Sequence, residues 1–234
     1  MSVLAALFDL QVLDTTLEQL RHKFGALPER GELANALASR DALAQAVAAS
    51  RTRQSELEAT MSNHETKTND IKKMLERLQG QLKTIISPRE AEALQHKMDA
   101  LHAEMGSLDD ESLVAMDESE SLDALIAKNE ADIAAANLSI AELRAALATA
   151  EENVKAEGRD TEEKRATTAT KIDAEWLAGY ETRRAQHSGI AVAKVKNHVC
   201  GGCHLDLSTS EIDTLKREDE KNRECPNCAR WLVL

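Results

Sequence analysis

The sequence predicts a mainly α protein, a long antiparallel coiled-coil hairpin followed by a small C-terminal β ribbon, and three observations carry that reading. Among its 234 residues only 2% are aromatic, three are Pro and nine are Gly, so the elements must be long and the core cannot lean on rings. Apolar residues recur at alternating steps of three and four over about sixty residues from Leu94 onward, with charged residues between them. Such a 3.5-residue period keeps one narrow stripe turned toward a partner helix. All four cysteines fall between Cys200 and Cys228.

The first helical segment is marked by Leu10, Leu13, Leu17, Leu20, Phe24 and Leu27. Gly25, Pro28 and Gly31 then end one helix and start another, because Pro is tolerated only in a first turn. The next arm repeats the spacing at Leu57, Met61, His64, Thr68, Ile71, Leu75, Leu78, Leu82 and Ile85. A reversal is expected near residues 84–89, where Ser87 suits an N-cap, Pro88 the first helical position and Glu90 the capping-box position. The return helix carries Leu94, Met98, Leu101, Met105 and Leu108, later Ile126, Ile133, Ile140, Leu147 and Val154, with Ser112, Ser119 and Asn129 as the polar interruptions.

The arms on either side of Ser87 have nearly equal lengths if the return helix runs to about Tyr180. They can therefore lie antiparallel, as a hairpin roughly 120 Å long. That pairing returns Met1 to the neighbourhood of residue 175, close to the cysteines. The competing packing is a parallel homodimer through the same seams. The expected domains are the hairpin, residues 1–182, and a ribbon domain, residues 183–234.

A formal charge of -12, from 41 acidic and 29 basic residues, excludes wholesale electrostatic binding to nucleic acid or an anionic membrane unless the cations are segregated. Residues 104–132 hold ten carboxylates and a single cation, Lys128; this is a solubilising face or, functionally, a dock for a basic partner. The start of the chain has no basic flank and Asp9 interrupts its apolar run. No stretch approaches the roughly 20 apolar residues of a membrane span, so the expectation is a cytoplasmic protein with no membrane partner.

Cys200-Gly-Gly-Cys203 and Cys225-Pro-Asn-Cys228 are two Cys-x-x-Cys knuckles. A two-residue spacer lets both thiolates reach one tetrahedral metal at about 2.3 Å, and two knuckles close the site. With Cys200, Cys203, Cys225 and Cys228 as ligands there is no open position for substrate, so one structural Zn2+ is expected. The Cys-x-x-Cys-His pattern ending at His204 also fits haem attachment, but that leaves the second knuckle unexplained. His198 and His204 are not needed as ligands. Strands are expected over 190–196 and 230–234, and a short helix from Ser208 to about residue 221. No catalytic constellation emerges: the histidines are scattered singly, His64 on a seam, and no Gly-rich phosphate loop occurs. The protein is read as not an enzyme.

The start Phe8-Asp-Leu-Gln-Val-Leu-Asp14, the Leu27-Pro28-Glu29 break, the hinge Ser87-Pro-Arg-Glu-Ala-Glu-Ala-Leu-Gln-His96 and the two knuckles together resemble the bacterial coiled-coil proteins with a C-terminal four-cysteine zinc ribbon. The resemblance covers essentially the whole chain. It implies an antiparallel hairpin with the ribbon at its open end. Some members are flagellar regulators, resembling chaperones of the alternative sigma factor sigma-54 and binding a flagellin transcript. This chain departs from them in its apolar tail, Trp231-Leu-Val-Leu234, and its acidic middle.

Two functions are therefore expected. The first is a chaperone-like adaptor presenting the ribbon to a protein partner. The second is RNA or DNA binding through a basic collar of Arg183, Arg184, Lys194 and Lys196, joined by Lys216, Arg217, Lys221, Arg223 and Arg230, with Trp231 stacking on a base. A homodimer is compatible with either.

Overall fold

The computed structural model describes Ser2–Leu234. The element order is α1 (Val3–Gly25), α2 (Pro28–Leu82), α3 (Pro88–Ala169), α4 (Ala174–Gln186), β1 (Val192–Lys196), β2 (Val199–Cys200), α5 (Thr209–Arg217), a 3-10 turn (Glu220–Asn222) and β3 (Trp231–Val233). The expected break and reversal are both present, since α1 gives way to α2 between Gly25 and Pro28, and α2 to α3 between Leu82 and Pro88. The chain forms two compact units: the chain up to Gly31 together with Arg144–Leu234, and Glu32–Leu143.

Within Glu32–Leu143, α2 and α3 run antiparallel. Arg53 pairs with Glu118 at 2.7 Å and His64 Nδ1 lies 3.1 Å from Ser112 Oγ, so the partner's number falls as the chain advances along α2. The seam is narrow: Ile71, Leu75 and Leu78 bury against Met98 and Leu108, as a 3.5-residue period requires. The stripes are thus consumed within one chain, which leaves those seam residues unavailable to the competing parallel packing. His64 sits on that seam, 7% exposed, with its polar edge satisfied by Ser112, whose hydroxyl also donates to Leu108 O at 2.7 Å.

The other unit is built where α1 lies along the end of α3. Arg30 pairs with Glu151 at 2.5 Å and Lys23 with Glu157 at 3.5 Å. Here the return helix departs from expectation, ending at Ala169 rather than near Tyr180. Thr167, Thr168 and Thr170 are poor helix formers whose hydroxyls bond backbone carbonyls, and Asp173 restarts the helix by accepting from Glu175 N at 2.9 Å. The turn drops Ile172 into an apolar cluster with Leu4, Leu7, Leu10, Tyr180, Val192 and Trp231. The boundary expected at residue 183 falls inside α4, whose Tyr180 belongs to the same cluster as the ribbon's Val192. The expectation for Met1 lies outside the described residues, but Val3 and Leu4 donate from their backbones to Glu220 Oε2 at 2.8 and 3.2 Å, so the start of α1 does meet the cysteine-bearing end.

The ribbon sheet has three strands in the order β2-β1-β3, β1 antiparallel to β2 and parallel to β3. The helix after Ser208 stops at Arg217, short of residue 221, because Glu218 is extended. One 18-residue stretch of α3 reaches a mean hydropathy of 1.2, higher than the sequence reading allowed.

Candidate metal centre and ribbon surface

The two knuckles are built alike. In the first, Cys200 N donates to Leu205 O and His204 N to Cys200 O; in the second, Cys225 N donates to Arg230 O and Ala229 N to Cys225 O. The residue after each second cysteine is left-handed, His204 at φ 60° and Ala229 at φ 56°. His204 thus occupies a turn position equivalent to Ala229, and its ring is not a member of the sulfur cluster. β1 reaches β2 through Asn197 and His198, both at positive φ, which is the geometry of a tight two-residue hairpin turn. Gly201 is required next to it, since a Cβ there would lie 2.8 Å from Lys194 O.

These turns bring the four sulfurs within 4.8 Å of one another. Cys200 Sγ is 4.0 Å from Cys228 Sγ, and Cys203 Sγ is 3.8 Å from Cys225 Sγ. A tetrahedron with Zn–S bonds of about 2.3 Å has S–S edges of about 3.8 Å, so the donor set fits zinc and closes all four positions. Burial pushes the Cys225 thiol up to about 12. At Cys228 burial acts in the same direction but is outweighed by hydrogen bonds from the backbone and side chain of Arg230, and the thiol falls to about 7. Gly202 N also points at Cys200 Sγ, at 3.4 Å. Ala193, Leu207, Ile212, Leu215 and Leu232 pack around the two buried cysteines.

A second polar centre fixes the ribbon in its unit. Asp14, on α1 and 2% exposed, accepts from Tyr180 Oη at 2.7 Å and from Arg165 Nε at 2.6 Å, with Arg184 Nη1 at 3.5 Å. Burial, and then the bond to Asp14, push the Tyr180 hydroxyl well above its usual range. One turn earlier, Gln11 completes β1 as a neighbouring strand would: its Nε2 donates to Val192 O at 2.8 Å and its Oε1 accepts from Val192 N at 2.7 Å. Neither residue was identified as a site from sequence. The signal available was a buried polar pair on an otherwise apolar face of the first helix.

The family is decided by comparison with known sequences. Residues 10–188 match the CT398-like coiled coil hairpin domain, and residues 199–232 match a C4-type zinc ribbon domain. The chain belongs to the CT398-like coiled-coil hairpin family. Its curated relatives include uncharacterized proteins from two strains of Mycobacterium tuberculosis, each 26% identical over 97% of this chain and 94% of the relative. Solved structures with the same fold include a protein from Mycobacterium smegmatis, with a TM-score of 0.80, 20% identity and coverage of 99% of this chain and 97% of that one. CT398 from Chlamydia trachomatis gives 0.79, with 20% identity and the same coverage. The HP0958 protein of Helicobacter pylori gives 0.58, with 19% identity and coverage of 99% and 96%. Members of this family thus share the hairpin, and this chain carries one structural zinc in its ribbon.

The expected basic collar is rearranged by this packing. Arg183 ion-pairs with Glu224 and lies 3.9 Å above the Trp231 ring. Arg184 pairs with Glu18 at 2.8 Å as well as with Asp14. Trp231 is 4% exposed, tilted against Trp176 at 5.2 Å, and reaches so close to α4 that a Cβ on Gly179 would lie 2.9 Å from it. It cannot stack on a base. Arg223 and Arg230 donate to backbone carbonyls, Leu215 O and Ile190 O among them. Lys221 pairs with Glu175 and Lys216 with Asp213. Among the described residues, the cations of the expected surface with no carboxylate within 4.0 Å are Lys194, Lys196, Arg217 and Arg230, the last of them held on backbone carbonyls.

Proposed function

We propose that the protein is a non-enzymatic, chaperone-like adaptor that presents its zinc ribbon to a protein partner in the cytoplasm, where four thiolates stay reduced. The observation that carries this reading is the contrast on the ribbon surface. Most of its cations are held in internal ion pairs or on backbone carbonyls, whereas Leu205, beside the first knuckle, is 52% exposed. A large apolar side chain on a turn that the metal holds rigid is suited to filling a pocket in a partner. Function on this reading is positioning: Gln11, Asp14 and Glu220 fix the ribbon, the ribbon fixes Leu205, and no bond is made or broken.

The test is capture of partners by the zinc-loaded protein from a lysate of its own host, half of it treated with nuclease, with wild type and Leu205→Asp compared. A protein recovered equally from both halves by wild type and lost with Leu205→Asp is the expected result. Recovery that disappears with nuclease and is insensitive to Leu205→Asp would instead assign the surface to RNA or DNA, gripped by Lys194, Lys196 and Arg217.

A further inference from the structure

One helix face within Glu32–Leu143 is not accounted for by either the seam or the ribbon. On α3, Asp110, Leu113, Val114 and Asp117 follow one another at i, i+3, i+4 and i+7, and so share one side of the helix. That side is turned away from the buried seam residues Leu108 and Ala115. Leu113 is 62% exposed, Val114 69% and Met116 57%. Three large apolar groups within four positions are more than the scattered single exposures usual on a soluble helix. Among the described residues, the flanking Asp109, Asp110, Asp117 and Glu120 have no Lys or Arg within 4.0 Å, while Glu118 and Glu130 are answered by Arg53 and Arg51. Four unanswered carboxylates thus lie beside the apolar cluster.

The complementary surface lies on the same chain, toward the reversal. Residues 72–97 carry Lys72, Lys73, Arg77, Lys83, Arg89 and Lys97 against Glu76, Glu90 and Glu92. Among the described residues of this stretch, Lys73 alone has a carboxylate within 4.0 Å, the neighbouring Asp70. This end also bears exposed apolar groups: Met74 is 44% exposed and Ile86, in the reversal itself, 97%. Arg89 and Leu113 are 24 positions apart on α3, about 36 Å along its axis. Two hairpins laid side by side in opposite directions can therefore bring each apolar acidic patch level with the basic end of the other copy. The arrangement is isologous and closes at two copies.

We propose that a second copy of this chain is the occupant: the apolar acidic face around Leu113 and Val114 of each copy packs on the basic end around Lys72, Arg77 and Lys97 of the other. A contact about 36 Å long and one helix, about 10 Å, wide covers roughly 400 Å² per copy, about half of a standard interface. The dimer is accordingly weak, forms at micromolar concentration, and depends on salt because its charges lie at the surface.

Sedimentation velocity of the full zinc-loaded chain tests this, from about 5 to about 300 µM, a range that brackets micromolar dissociation constants, at low and at high salt. The expected result is a concentration-dependent dimer whose dissociation constant rises at least tenfold in high salt. Leu113→Asp with Val114→Asp is expected to give a monomer with unchanged ellipticity, because both positions are exposed. Reversal at Lys72 and Arg77 to Glu should weaken the dimer, and adding Asp110→Lys with Asp117→Lys should restore it. A monomer throughout the range, or a dimer indifferent to these substitutions, overturns the proposal.

Discussion

Loss of the metal is expected to release more than the ribbon. Leu4, Leu7 and Leu10 of α1, each no more than 1% exposed, share a cluster with Val192 and Trp231 of the sheet. Burial of the three leucines stabilises this unit by about 6 kcal/mol at most, at about 2 kcal/mol each. Val192 also holds Gln11, and Glu220 binds the first N–H groups of α1. Removing a thiolate by Cys200→Ser, or zinc by a chelator, takes away a folding term of about 10 kcal/mol or more and with it this whole side of α1. A 23-residue helix is marginal by itself in water. Unfolding of the ribbon alone removes the 9 helical residues of α5; release of α1 adds its 23. Against the 55 and 82 residues of α2 and α3, the loss of ellipticity at 222 nm is about a twentieth in the first case and about a sixth in the second. Circular dichroism during zinc removal, with hydrogen exchange of residues 3–25, distinguishes them. A loss of about a twentieth with α1 still protected would refute the coupling, and a global collapse would refute the independence of the Glu32–Leu143 hairpin.

Other substitutions probe the contacts that set the ribbon in place. Asp14→Ala leaves the Tyr180 hydroxyl and Arg165 Nε without their acceptor and should destabilise the unit by about 3 kcal/mol; Tyr180→Phe should cost about 1.5 kcal/mol. In the double variant the two should add to clearly less than their sum, read by denaturant unfolding followed through Trp176 and Trp231, and strict additivity would exclude a direct bond. Glu220 responds to burial, which raises its pKa, but the hydroxyl of Ser2 and the N–H groups of Leu4 and Val3 lower it further, for a net downward shift. Its contribution is therefore present above the ordinary carboxylate pKa and is lost as pH falls through the depressed folded value. Glu220→Gln should therefore lower stability at neutral pH and converge on wild type in acid, flattening the acid limb of the tryptophan-monitored stability curve; an unchanged acid limb would remove Glu220 from the account. Gly201→Ala forces a Cβ to 2.8 Å from Lys194 O and should weaken zinc in chelator competition by about tenfold or more. Gly80→Ala, with nothing within 4 Å, serves as the neutral control.

The helices and the metal were legible because each rests on local chemistry. The heptad spacing around Ile71, Leu75 and Met98 specifies a seam whatever lies across it, Pro28 and Pro88 can stand only at helix starts, and two Cys-x-x-Cys spacers suffice to define a tetrahedral site. The break after Ala169 was harder to see, since three threonines weaken a helix only slightly and Asp173 caps a new one without Gly or Pro. The strand Val199–Cys200 was not separable from its knuckle, being two residues long and held by a turn at Asn197 and His198 whose positive φ values no glycine announces. The pairing of the collar was not legible for a different reason. Local sequence sets only Glu181 against Arg183 and Arg184, and their principal partners, Glu224, Glu18 and Asp14, come from segments far away along the chain.

The sequence by itself determined the period, the reversals and the donor set, because helix propensity, proline geometry and thiolate chemistry act over a few residues. Only the tertiary structure decided which charged and aromatic side chains remain available. Trp231 is buried by the absence of a side chain at Gly179, and Asp14 is buried because Tyr180 and Arg165 converge on it. Whether a surface can bind depends on partners brought together through space, and spacing along the chain does not contain that information.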